Sequence, residues 1–146
     1  MSISQNATQR SPQASAPWRV ALWTAQVLLF VLFGMAGVMK SFVSPQALVG
    51  MGITYATQIP YWLLRFIGIC EAAGAIGVVL PALTRIRPGL TPLAPLGFVT
   101  IQILAIGFHV VRGEIASSAP LNALLLGLSL FVLWGRTKKA PISPRT

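Results

Sequence analysis

Acidic side chains are almost missing from this chain. Of 146 residues only Glu71 and Glu114 are acidic, and charged residues of both signs make up just 9%. A water-soluble domain carries roughly a quarter charged residues, so there is too little polar side chain here to clothe a water-exposed surface. Cysteine is nearly absent too. Cys70 stands alone, which excludes an intrachain disulfide, a CxxC redox pair and a cysteine-based zinc site, and no metal site is expected. One histidine, His109, excludes bis-histidine haem ligation within one chain.

What is abundant is apolar sequence, 55% of the chain, against a formal charge of +9. Four long apolar runs fill most of it, at about 18–39, 61–83, 90–111 and 115–134, the last with Pro120 in its first turns. Each is close to the roughly 20 residues that cross about 30 Å of hydrocarbon. Backbone groups in lipid must satisfy one another, so these runs are expected to be helices. The predicted fold is therefore all-α: an integral membrane four-helix bundle over 18–136, with a disordered tail at 1–17 and a basic tail at 137–146. Trp18, Trp23, Tyr61, Trp62 and Trp134 cluster at predicted span ends, where interfacial aromatics belong. The basic residues flank the apolar runs rather than forming one block, which suits anionic lipid headgroups and argues against a nucleic-acid partner. Gly34-Met35-Ala36 after an apolar stretch also fits a signal-peptide cleavage site, but the run's length and the bulky Trp23 favour a retained helix.

Orientation follows from the basic residues. With the N-terminus cytoplasmic, Arg10, Arg19, Arg85, Arg87, Arg136, Lys138, Lys139 and Arg145 fall inside, against Lys40, Arg65 and Arg112 outside. The excess predicts both termini cytoplasmic and a plasma-membrane location. The first external connection, 41–60, is nearly uncharged and too long for a structureless loop. Its apolar residues predict a short helix at the membrane interface or capping the bundle.

Counting residues down from the outer boundary places Glu71 and Gln102 about 15 Å deep and Asn122 about 10 Å deep, one polar layer. Arg65 and His109 form a shallower layer, Gln26 and Ser129 a deeper one. A carboxylate facing lipid at mid-membrane costs about 2.5–3.5 kcal/mol on insertion scales, so Glu71 faces the bundle interior. Two readings compete. In one, Glu71 exchanges protons or binds ligand in an outward-facing pocket with Gln102, Asn122, His109, Arg65 and Lys40 as candidate neighbours. In the other it is a structural clamp, hydrogen-bonded to Gln102 or Asn122. Lys40 also reads as a boundary anchor, Arg112 and Glu114 as a local loop pair, and Cys70 as an inert thiol. Gly34, Gly37, Gly68 and Gly74 are expected to let helices pack closely.

In order and spacing the chain resembles the DoxX and DoxX-like family of small four-helix membrane proteins. The matching pieces are Phe33-Gly34-Met35-Ala36-Gly37-Val38-Met39-Lys40, Arg65-Phe66-Ile67-Gly68-Ile69-Cys70-Glu71, Pro81, His109-Val110-Val111-Arg112-Gly113-Glu114 and Trp134-Gly135-Arg136. The family is named for a small subunit of a thiosulfate:quinone oxidoreductase. The resemblance implies an accessory subunit of a membrane oxidoreductase or quinone-linked system, with no catalytic activity of its own, a redox protein or a second copy as partner, and quinone as the cofactor to consider. The alternatives are a small-molecule-binding membrane protein or enzyme built on the Glu71 pocket, and a structural or assembly factor.

Overall fold

The computed structural model describes residues 14–145; most of the tail expected at 1–17 lies outside the described residues. Five helices carry the fold: α1 (Ala16–Phe42), α2 (Pro45–Gly50), α3 (Tyr61–Thr84), α4 (Leu93–Val111) and α5 (Ile115–Trp134). Among the described residues there is no strand. The four long helices are long and apolar enough to cross a membrane, and the molecule is an integral membrane four-helix bundle. Large apolar side chains such as Phe30, Val31, Ile69, Leu80, Ile103 and Leu124 point outward, where lipid replaces water as the solvent.

The helices stand in the cyclic order α1, α3, α4, α5, with α1 packed most extensively on α3 and α4 on α5. Phe33 of α1 and Phe98 of α4 meet across the diagonal, stacked with centroids 3.8 Å apart and planes within 2°. They form the middle of a core that includes Ala25, Leu29, Ala75, Val78, Leu125 and Val132. Gly74 makes room for this stack: a Cβ there would lie 2.6 Å from Phe98 Cε1.

The first connection contains the expected short helix. Ser44 caps α2, its hydroxyl accepting from Ala47 N at 3.3 Å, and Pro45 starts it where a missing N–H costs nothing. Leu48 of α2 and Ala56, in the 3-10 turn Thr54–Thr57, are buried against Leu64 of α3. This small second core forms a lid over the end of the bundle opposite the chain termini. At the other end α5 runs into a π-helical turn, Gly135–Lys139, and Arg145 N donates to Arg85 O at 3.2 Å.

Candidate functional site

The polar centre of the molecule is built where α1 crosses α3. The helices touch backbone to backbone: a Cβ at Gly37 would lie 2.5 Å from Ala72 N and 2.7 Å from Gly68 O, and one at Gly68 would lie 2.9 Å from Gly37 O. One turn from each glycine sit Lys40 and Glu71. Helical side chains lean toward their own N-terminus, and α1 and α3 are antiparallel. Lys40 therefore leans into the bundle while Glu71 leans outward, and the two meet. Lys40 Nζ donates to Glu71 Oε1 at 2.7 Å and to Oε2 at 2.8 Å, with both side chains buried. The Tyr55 hydroxyl lies within electrostatic reach of the ammonium.

This changes the sequence-based assignment in two places. Lys40 is no boundary anchor: α1 continues to Phe42 and the α2 lid covers its end, so the ammonium lies beneath the surface. The hydrogen-bond partner of Glu71 is Lys40, not Gln102 or Asn122. Those two amides nevertheless lie close to its level. Gly74 is level with Phe98, and from that plane Glu71 lies about 4.5 Å toward the lid and Gln102 about 6 Å. Asn122 stands one turn above Leu125 of the same core. Both amides are buried, and among the described residues Gln102 Oε1 and Asn122 Nδ2 have no hydrogen-bond partner. Two open grooves on the described surface lie elsewhere, one along α1 from Ala16 to Leu28, the other of about 360 Å³ between α1 and α3.

Arg65 stands above the ion pair and closes α1. Its Nη1 donates to Lys40 O at 2.5 Å and Val43 O at 2.9 Å, two carbonyls that the end of a helix leaves without backbone donors. Its guanidinium lies 4.5 Å from the Tyr61 ring centre. His109 is set apart from Glu71. It packs at 5.8 Å against the Tyr55 ring, and its Nδ1 is 3.7 Å from Glu114 Oε2. Glu114 belongs chiefly to Arg112, whose Nε and Nη2 donate to its two oxygens at 2.9 and 2.6 Å. Arg112 Nη1 also donates to Gln58 Oε1, tying the α4–α5 connection to the lid.

The Arg112 hydrogen bonds hold the Glu114 carboxyl below the ordinary glutamate range, and His109 adds to this; the same bonds push Arg112 upward. Because the folded carboxyl is the stronger acid, any stabilisation from it is complete above the ordinary glutamate pKa. It is lost as pH falls through the lower folded value. Arg112→Ala should therefore move the Glu114 titration midpoint upward, as read from its side-chain carbon shift. The effect on thermal stability should be small, since the pair is only partly buried and water still screens it. A midpoint that stays in place would mean the pair does not form in solution.

Gln26 and Ser129, expected at one deeper level, are both buried and each finds a different partner. Ser129 Oγ donates back into its own helix, to Leu125 O at 2.7 Å. Gln26 instead serves Arg136: its Oε1 accepts from Nε at 2.8 Å and from Nη2, while its Nε2 donates to Val78 O. Arg136 gives no sign of this in the sequence, where it sits among tail lysines. A glutamine inside an apolar run is the one hint that some distant group needs an acceptor there. Cys70 is a half-buried free thiol beside Glu71 in sequence but on a different side of α3.

Among the described residues no cluster of His, Cys, Asp or Glu could hold a metal ion. A search of curated proteins and one of solved structures each returned no match. The model of the DoxX-like family matches residues 24–132, from within α1 to the last turn of α5, so that Lys40, Arg65, Glu71, Gln102, His109 and Asn122 all fall within the match. This multi-pass membrane protein belongs to the DoxX-like family.

Proposed function

We propose that this DoxX-like protein is an accessory subunit of a membrane oxidoreductase or quinone-linked system, set in the plasma membrane with both termini cytoplasmic. One observation carries the reading: a buried acid and base, Glu71 and Lys40, share a layer with two buried amides whose Gln102 Oε1 and Asn122 Nδ2 lack partners. A clamp between α1 and α3 has no need of those amides, and leaving them unsatisfied costs about 1–3 kcal/mol each. A free acceptor and a free donor at nearly one level match a head group that carries carbonyl oxygens in one redox state and hydroxyls in the other. Gln102 and Asn122 would hold such a quinone, with Lys40 and Glu71 able to keep or release a proton nearby; the quinone, when bound, supplies the electron chemistry. With one histidine and one cysteine in the chain, a redox centre such as bis-histidine haem belongs to a partner.

A structural or assembly role is the second reading, favoured by the close α1–α3 crossing at Gly37 and Gly68. Gln102→Leu separates the two because it leaves the ion pair alone. A purely structural bundle should keep or slightly gain stability, by about 1 kcal/mol, once an unsatisfied oxygen is removed, and should keep whatever partners it has. Under the accessory-subunit reading, wild-type protein taken from its native membrane in mild detergent carries quinone or a redox subunit, seen by mass spectrometry and absorbance. The Gln102→Leu variant loses the quinone. Wild-type protein that emerges alone and empty counts against the proposal.

A further inference from the structure

The end of the bundle where α1 begins and α5 ends holds a buried cation with no anion beside it among the described residues. Arg136 is buried just after α5. Gln26 Oε1 accepts from its Nε and Nη2, Ala140 O accepts from its Nη1 at 3.4 Å, and the guanidinium lies 5.4 Å from the Trp23 ring centre. All of these partners are neutral. They orient the guanidinium and leave its charge in place. No side chain of this protein can cancel that charge. The chain has two carboxylates; Glu71 is held by Lys40 and Glu114 by Arg112, both toward the opposite end. A buried charge is costly unless it is paired, so an anion from outside the chain would be favoured at this place.

A second guanidinium lies at the same end of the bundle. Arg19 shares one stripe of α1 with Trp23 and Gln26, at i, i+4 and i+7, and lies within electrostatic reach of Arg136. Arg19 also heads an open groove that continues along Val20, Trp23, Thr24, Val27 and Leu28. From Arg19 to Leu28 the groove descends about 13 Å along the helix, from the interface into the depth of the hydrocarbon. Two cations at headgroup level and an apolar track below them are the two halves of a phospholipid. We infer that Arg19, Arg136 and this groove bind one anionic phospholipid. Its phosphate sits between the guanidiniums, whose planar forks suit phosphate oxygens, and an acyl chain lies along α1. The uncompensated double positive charge selects a lipid of net negative charge over a zwitterionic one, although both carry phosphate.

The test uses the full-length protein in mild detergent, with lipid retention read by native mass spectrometry and protection read by thermal unfolding. The probes are phosphatidylglycerol, phosphatidylcholine with the same chains, and inorganic phosphate. Phosphatidylglycerol should be retained and protective, phosphatidylcholine several-fold less so, and phosphate alone without effect. Arg19→Gln should weaken phosphatidylglycerol retention about fivefold, the contribution of one basic residue near an anionic lipid. Arg19 is exposed, so lipid-free unfolding should not change. Arg136→Lys keeps the charge and loses the fork, and should fall between wild type and Arg19→Gln. Equal retention of the two lipids, or an Arg19→Gln variant that binds like wild type, overturns the inference. Protection by phosphate equal to that by phosphatidylglycerol overturns it in favour of a free anion. A concentration-dependent dimer that excludes lipid overturns it in favour of a second copy of the chain.

Discussion

Lys40→Met, with Glu71 left in place, should destabilise the bundle by about 3–5 kcal/mol, the cost of stranding one partner of a buried ion pair. The carboxylate would be left in an apolar interior with its 2.7 and 2.8 Å donors gone, and the remaining way to relieve it is to take up a proton. Glu71→Met should cost a similar amount by stranding the ammonium. The double variant Lys40→Met/Glu71→Met is the informative comparison. Apolar residues of similar volume in place of both partners should restore most of the loss, since such replacements are often neutral or favourable. Denaturant unfolding of the purified protein in mild detergent, followed by helical circular dichroism, measures all three. Single variants within about 0.5 kcal/mol of wild type, the range of an ordinary surface change, would mean that the pair is solvated. The double variant also separates stability from function: a folded bundle that has lost a quinone or redox subunit carried by the wild type would assign the pair a chemical task.

The second large effect is expected at Gly37. Even alanine there puts a Cβ 2.5 Å from one backbone nitrogen and 2.7 Å from a backbone oxygen of α3. Neither atom belongs to a side chain that can swing away, so the helices must separate. Overpacking of this kind costs about 1–3 kcal/mol, and leucine should exceed alanine. Gly34→Ala is the matched control. Its new methyl would meet Ala75 Cβ at 3.6 Å, an ordinary contact, and the better helix propensity of alanine offsets any residual cost. Thermal unfolding should rank Gly37→Leu below Gly37→Ala, with Gly34→Ala near wild type. Separation of α1 from α3 also pulls Lys40 from Glu71, so the loss at Gly37 should shrink in the Lys40→Met/Glu71→Met background. Equal effects at Gly34 and Gly37 would refute the close crossing.

The contrast between these two glycines shows what could and could not be read from the sequence. Gly34 and Gly37 look alike in an apolar run, and three residues of helix decide which one faces the neighbouring backbone. Apolar length alone reveals the four long helices, and an uncharged stretch too long for a loop reveals α2. The shared level of Glu71 and Gln102 follows from the regular rise of a helix, which depth counting uses directly. Lys40 reads both as a boundary anchor and as a neighbour of Glu71, and the choice between them rests on α1 running past its apolar segment and the lid covering its end. That burial depends on Leu48, Ala56 and Leu64 coming together, a tertiary event. Arg65 looks like a surface cation and in fact closes the end of α1, since a capping arginine and a snorkelling one carry the same sequence signature. Arg136 and Gln26 are joined across 110 positions, beyond the reach of any local pattern.

The Phe33–Phe98 stack gives the molecule a sidedness. Lys40 and Gln26 are about 21 Å apart along α1, and between their levels the bundle axis is filled by two rings with Leu29, Val78 and Leu125 around them. These groups neither donate nor accept protons, and rings 3.8 Å apart leave no width for a file of water. Traffic at the Lys40–Glu71 level is therefore restricted to the lid side. A step in pH on that side alone should reach the pair, whereas the same step on the terminal side should leave it untouched. The apolar plug thus divides the polar interior in two, and the Lys40–Glu71 level has no proton path to the Gln26–Arg136 level.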